Sequence, residues 1–367
     1  MEQKRLFDIF SAKAEYNPLV KDMYNRTSYY NYRNGDIFSP EVSQFIYNEG
    51  FKPIYPDGNK FAVCLSHDVD VLFSTKHEMK NGGLKYTGGF INLFNLTKYE
   101  FQLRLKKPNT SNSTNKILNP NYNLIRTIEK EQKINAVSSF YFLSLTEDEL
   151  DFNYGPTQIK GQFKLVIDAG SEIGLHGGHE AYASYEKIGA EINLLEKAAG
   201  VKIKGHRNHY LKFTTPNSWY NQARAGLVYD TTFGYADCAG FRNGMCYPYM
   251  PYDLSKKEFI DIIELPLIIM DVSLFNYMRL TFEESRKLIE NLVEKIKSIN
   301  GVVTFLWHNT YMDGEMGKFY EMFLDYISKQ DAWITTSDNL VEWYKEQRYL
   351  NQIKEIIENR LISKNGN

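Results

Sequence analysis

Short apolar runs recur along the chain, each followed or preceded by a stretch whose apolar positions repeat at helical spacing. The runs are FAVCLS at 61–66, NAVSSFYFLS at 135–144, EIGLH at 172–176, VKIKGH at 201–206, LVYD at 227–230, FIDIIEL at 259–265, GVVTFLW at 301–307 and AWITT at 332–336. Continuous apolar runs of this length suit strands buried on both faces. The helical patterns between them cover 121–133, 157–169, 183–199, 215–225, 282–299 and 316–329. Gly200 and Gly226 supply stop signals, and Thr281 with Glu284 forms a capping box. Strands alternating with helices predict a parallel sheet, and about seven such units predict a β/α barrel.

This barrel is expected over 61–345, behind an N-terminal extension at 1–60 in which one short helix starts at Ser39-Pro40. Residues 71–120 do not continue a tidy strand–helix unit; the tract KPNTSNSTNK reads as a loop, inserted directly after the first barrel strand. A charged amphipathic helix over 338–360 leads into the C-terminal tail, within a last segment at 346–367.

Six of the seven histidines fall where these strands end. LSHDVD carries His67, Asp68 and Asp70; HGGH carries His176 and His179; GHRNHY carries His206, Arg207 and His209; WHN carries His308. Strand ends converge on one rim of a parallel barrel, where the active sites of such folds lie. If LSHDVD stays extended, Asp68 and Asp70 point one way and His67 the other; the same alternation turns His206 away from Arg207. Histidines and carboxylates gathered at one rim suit a divalent metal with general acid and base groups.

Composition narrows the classes. Lys and Arg number 43 against 45 Asp and Glu, so no basic stripe argues for nucleic acid. No apolar run reaches the ~20 residues of a membrane helix, and the first residues lack a secretory pattern, which favours a cytoplasmic location. Three cysteines without metal-type spacing give no disulfide framework, and Cys64 sits inside a strand as a small hydrophobe. The 27 tyrosines and 23 phenylalanines suit stacking on sugar rings as well as ordinary packing.

The ordered set of Asp-x-Asp, a histidine-rich strand end, an arginine strand end and a late hydrophobic-x-His resembles the polysaccharide deacetylases, carbohydrate esterase family 4. The resemblance spans about residues 61–340. It implies a distorted (β/α)7 barrel and a metal-dependent hydrolase that removes an N-acetyl or similar N-acyl group from a sugar or glycan precursor. Asp68 matches the general base, Arg207 its partner, and His308 the general acid. Asp70 and His176 match metal ligands, with His179 or, in second place, Glu180 as the third. The ion implied is Zn2+, with Co2+, Ni2+ or Mn2+ as alternatives. Leu306 would line the acyl pocket, Tyr210 and His209 would flank the substrate, and Asp230, Asp237 or Asp271 would partner His308. Arg242 and Asp237, in the aromatic-rich segment 232–256, are further candidates for substrate contact. The rival readings are an amidase or deformylase for a small or nucleotide-linked sugar, and a degenerate carbohydrate-binding protein.

Overall fold

One strand organises the molecule. The structure, a computed structural model, describes residues 2–32, 35–75, 116–119 and 124–363. Strand β1, Phe61–Val69, is buried along its full length, as expected of a strand covered on both faces. It is followed by β2 (Ser139–Leu143), β3 (Glu172–Gly177), β4 (Gly205–Asn208), β5 (Tyr229–Asp230), β6 (Ile263–Glu264), β7 (Ile269–Met270), β8 (Val302–Leu306) and β9 (Ala332–Thr335). These nine strands make one parallel sheet in the order β6-β5-β4-β3-β2-β1-β8-β7, with β9 also on β1.

The upper half of β1 pairs with β2 (Ser66 opposite Ser139) and the lower half with β9 (Ala62 opposite Trp333), while β8 lies along it from Ala62 to Ser66. The two end strands of the sheet, β6 and β7, are consecutive in the chain and joined by residues 265–268. The ring is therefore closed by backbone rather than by a ladder. Thr304 on β8 secures this seam: its hydroxyl accepts from the Ile268 N–H at 2.9 Å and donates to the Pro266 carbonyl. The architecture is the expected distorted (β/α)7 barrel with surrounding helices.

Several elements differ from expectation for local reasons. The run FIDIIEL is not one strand: Glu258–Phe259 pairs antiparallel with Tyr252–Asp253, and only Ile263–Glu264 joins the barrel. The short helix of the extension is Glu41–Asn48, with Pro40 rather than Ser39 in the cap position. A second helix, Glu2–Phe10, buries Leu6, Ile9 and Phe10, a stripe too short to stand out in the sequence. The C-terminal helix is broken: Ser337–Glu346 ends before Arg348, whose φ of 57° starts a new direction for Tyr349–Ile356. Gly200, at φ 75°, does end Tyr185–Ala199 in the left-handed conformation that suits glycine. Within 71–120, Phe73–Thr75 pairs antiparallel with Lys116–Leu118, and 76–115, with His77, Tyr86, Phe90 and Phe94, lies outside the described residues. Among the described residues no helix is long and apolar enough to cross a membrane.

Candidate active site

Pleat alternation in β1 sends Ser66 and Asp68 to the barrel interior and His67 outward. His67 is fully buried outside the barrel, its Nε2 2.7 Å from Glu131 Oε1 and its Nδ1 2.7 Å from the Trp307 carbonyl. On β4 the same alternation turns Arg207 inward and His206 outward, the latter to Asp230 at 2.8 Å. Arg207 is 1% exposed and its donors are nearly all used. Nη1 donates to Asp68 Oδ1 at 2.8 Å, Nη2 to Ser66 Oγ at 3.0 Å, and Nε to the Thr231 carbonyl at 3.1 Å. Its guanidinium also lies 4.5 Å from the Tyr141 ring centroid. Burial works to raise the Asp68 pKa, but His176, Arg207 and His308 overcome it and hold the carboxyl below its usual value.

Asp70, just past the end of β1, meets His176 from β3 and His209 from the turn after β4. Asp70 Oδ1 lies 3.2 Å from His176 Nε2 and 3.5 Å from His209 Nδ1, and those nitrogens are 3.0 Å apart. Four-coordinate zinc with bonds of about 2.1 Å sets its ligands roughly 3.4 Å apart, so the three atoms are spaced as one ion would hold them. His176 has its other nitrogen hydrogen-bonded, as metal-ligating histidines do, and that of His209 faces a carboxylate. His176 Nδ1 donates to the Arg207 carbonyl at 2.9 Å, and His209 Nε2 faces Asp151 Oδ2 at 3.5 Å. Asp70 Oδ1 is buried and has no hydrogen-bond partner, which leaves an acceptor aimed at the gap between the rings. A carboxylate and two histidines with one orphaned oxygen fit a divalent cation.

The third member of this group is His209, where the sequence reading has His179. Strand β3 ends at Gly177, and the turn after it carries His179 aside to Glu180, at 2.6 Å, and Lys212, at 3.3 Å. Glu180 is no substitute, with a side chain 59% exposed. The signal for His209 was present in the sequence: alternation that turns Arg207 inward also turns the residue two further on inward. An unusual turn follows that ring, in which Tyr210 and Leu211 both have positive φ, 59° and 53°. For residues with a side chain this conformation costs about 1–2 kcal/mol each.

On the opposite side of the rim, His308 follows β8. Its Nδ1 lies 2.7 Å from Asp271 Oδ1, and its backbone N–H donates to Asp271 Oδ2 at 2.6 Å. Nε2 is thereby turned toward Asp70 Oδ2, 3.9 Å away. Burial works to lower the His308 pKa, but Asp271, Asp70 and Asp68 together raise it to about 10. Of the three candidate partners Asp271 is the one in place. Asp230 serves His206, and Asp237 accepts from Ser28 Oγ at 2.6 Å and from the Tyr29 N–H at 3.3 Å. Asp237 thus ties the N-terminal extension to the rim.

Leu306 is fully buried in a small apolar cluster with Leu211, Ala236, Leu267 and Met270. Tyr210 stacks on Tyr24 of the extension at 4.9 Å between centroids, with its own ring 4.1 Å from that of His209. Arg242 is buried and paired within the protein. Its Nε and Nη2 grip Glu15 at 2.7 and 2.6 Å and Nη1 donates to the Gly234 carbonyl, so this arginine anchors the extension. Arginine in an aromatic-rich loop suggested recognition; the acid that neutralises it lies 227 residues away.

No family model and no curated protein matches the sequence. Solved structures do. A candidate polysaccharide deacetylase from Mycobacterium smegmatis superposes with a TM-score of 0.53 at 16% identity, over 81% of this chain and 94% of its own. The chain has the fold of the polysaccharide deacetylases. A carbohydrate esterase family 4 pseudoenzyme from Bacillus anthracis aligns more loosely, at TM-score 0.40 and 11% identity over 78% and 66% of the two chains. Peptidoglycan deacetylase PdaC from Bacillus subtilis aligns at TM-score 0.37 and 11% identity over 83% and 99%. At these identities the likeness is one of fold. Within the deacetylase fold of this chain, Asp68, Asp70, His176, Arg207, His209 and His308 all lie on the rim formed by the strand ends.

Proposed function

We propose that the protein is a metal-dependent hydrolase that removes an N-acetyl or similar N-acyl group from a sugar, in the metabolism of surface glycans. The observation that carries this reading is the convergence of three units on one rim: the Asp68–Arg207 pair, the Asp70/His176/His209 group and the His308–Asp271 pair. A site that only binds a sugar has no use for a base, an acid and a cation-binding group together.

Asp70, His176 and His209 would hold the ion, zinc being the divalent cation best suited to one carboxylate and two imidazoles. When bound, such an ion polarises an acyl oxygen and makes water a better nucleophile near neutral pH. Asp68 takes the proton from the attacking water. Arg207 occupies one of its oxygens and keeps the carboxyl ionised, which leaves Oδ2 free on the side of His176. His308 donates a proton to the departing amine, because an amine anion is a very poor leaving group. Asp271 fixes the ring so that Nε2 is the nitrogen presented to the site, and favours its protonated form.

The test is hydrolysis of N-acetylated sugars of one to six units by chelator-treated and zinc-reloaded protein, with released acetate as the readout. Activity that appears only on reloading is the expected result. Zinc binding without acetate or other acyl release from any such sugar would overturn the hydrolase reading.

A further inference from the structure

The extension at 1–60 also reaches the rim through Arg26, beside the turn that follows His209. Asp22 organises a tight turn, accepting from the backbone N–H groups of Tyr24 and Arg26 at 2.9 Å each, with its other oxygen 2.6 Å from Arg26 Nε. The turn presents Arg26 to the barrel, where its side chain is 8% exposed. Nη1 donates to the Tyr210 carbonyl and Nη2 to the Tyr277 hydroxyl, both at 2.6 Å. Tyr24 closes over the guanidinium at 4.8 Å and stacks on Tyr210.

Tyr210 is the first of the two left-handed residues that follow His209, so Arg26 holds the carbonyl of the strained turn that aims the His209 ring. The carboxylate that balances Arg26, Asp22, lies in the extension itself, so the two remaining arms of the guanidinium go to the barrel, while Arg242 with Glu15 separately staples the extension. We propose that Arg26 is a positioning residue for the metal centre: it locks the His209–Leu211 turn so that His209 Nδ1 faces Asp70 and His176. The N-terminal extension is then part of the ion-binding unit rather than a decoration. This inference rests on the reading of Asp70, His176 and His209 as ligands.

The experiment measures zinc affinity of the full-length apoprotein by competition with a chromophoric chelator, and the visible absorption of the Co2+-loaded protein. Arg26→Ala should weaken zinc binding by about 10–100-fold, the range typical when a group that orients a ligand is removed. It should also shift the Co2+ spectrum toward that of His209→Ala. Arg26→Lys keeps the charge but cannot reach Tyr210, Tyr277 and Asp22 together, so an intermediate loss is expected. Tyr277→Phe frees one arm of Arg26 and should weaken binding by a few-fold. A cavity variant in the C-terminal helix, Ile353→Ala, separates general destabilisation from ligand positioning: it should lower the melting temperature and leave zinc affinity unchanged. If Arg26→Ala does not fold, the lysine and phenylalanine variants decide. Wild-type affinity in the Arg26 variants, or an equal loss in Ile353→Ala, overturns the proposal. Failure of the unsubstituted protein to bind zinc removes the ligand reading itself.

Discussion

Glu191, on helix Tyr185–Ala199, is a buried carboxyl whose desolvation outweighs the pull of Lys187 and His209, and replacing it should change how stability depends on pH. Its Oε2 accepts from the Gly178 N–H at 2.9 Å, in the turn that follows His176, while Oε1 is buried without a partner. Burial raises its pKa from 4.5 to about 8, outweighing the lowering by the Gly178 bond. The folded protein therefore keeps a proton that the unfolded chain releases between these two values, so stability falls as pH rises across that window. At 1.36 kcal/mol per unit, the loss attributable to this group grows by about 3–4 kcal/mol between pH 5 and pH 8. Glu191→Gln retains an acceptor for Gly178 and carries no charge at any pH. Urea unfolding of both proteins at intervals from pH 5 to pH 9, in the same metal state, isolates the effect as the difference between them. The variant should gain on the wild type steadily up to about pH 8 and no further. A difference that stays constant with pH would refute a neutral folded Glu191.

Four further outcomes are expected. His209→Ala should lose zinc, measured by elemental content after dialysis, whereas His179→Ala should retain it; the reverse result would restore the ligand set read from the sequence. Asp68→Asn and His308→Ala should keep the ion and lose roughly 10²–10⁴-fold in turnover, the usual scale for acid and base groups, and unchanged turnover in either would remove that residue from the mechanism. Asp271→Asn takes away the charge that raises the His308 pKa, so the proton-donating form should be lost at lower pH and the falling limb of the kcat–pH profile should move down by at least about one unit; a profile matching the wild type would count against the pair. Lastly, kcat/KM should be higher for mono- and disaccharide substrates than for long chitin-like polymers, because the Phe73–Thr75/Lys116–Leu118 pair and the segment 232–256 both follow strand ends at the rim, and clear polymer preference would refute this.

Much of this site was legible because strand alternation is a simple rule. It places Asp68 against Arg207, sends His67 and His206 outward, and puts His209 on the same side as Arg207. The helix boundaries marked by Gly200 and by the Thr281–Glu284 box were legible for the same reason, since each reflects a local backbone demand. What could not be read was pairing across long separations. Nothing near Asp271 marks it as the partner of His308 rather than Asp230 or Asp237, and Arg242 gives no sign of Glu15. Arg26 was invisible for a further reason: its role depends on a carbonyl, and backbone groups have no sequence signature. Short strands such as Tyr229–Asp230 were overestimated because apolar residues continue past the last paired position into the packed core.

The switch of partners along β1 bears on the order in which this chain can fold. β1 is the first barrel strand to be synthesised, yet the strands that cover its lower half, β8 and β9, come more than 230 residues later. Until they arrive, Phe61, Ala62, Val63 and Cys64 have their ladder groups unpaired and their apolar side chains uncovered. Contacts this distant in sequence make for slow folding, because a long loop must close before they reward it. The nascent chain therefore carries an aggregation-prone strand edge through most of its synthesis, and the barrel can close only when β8 has emerged to join β1 to β7.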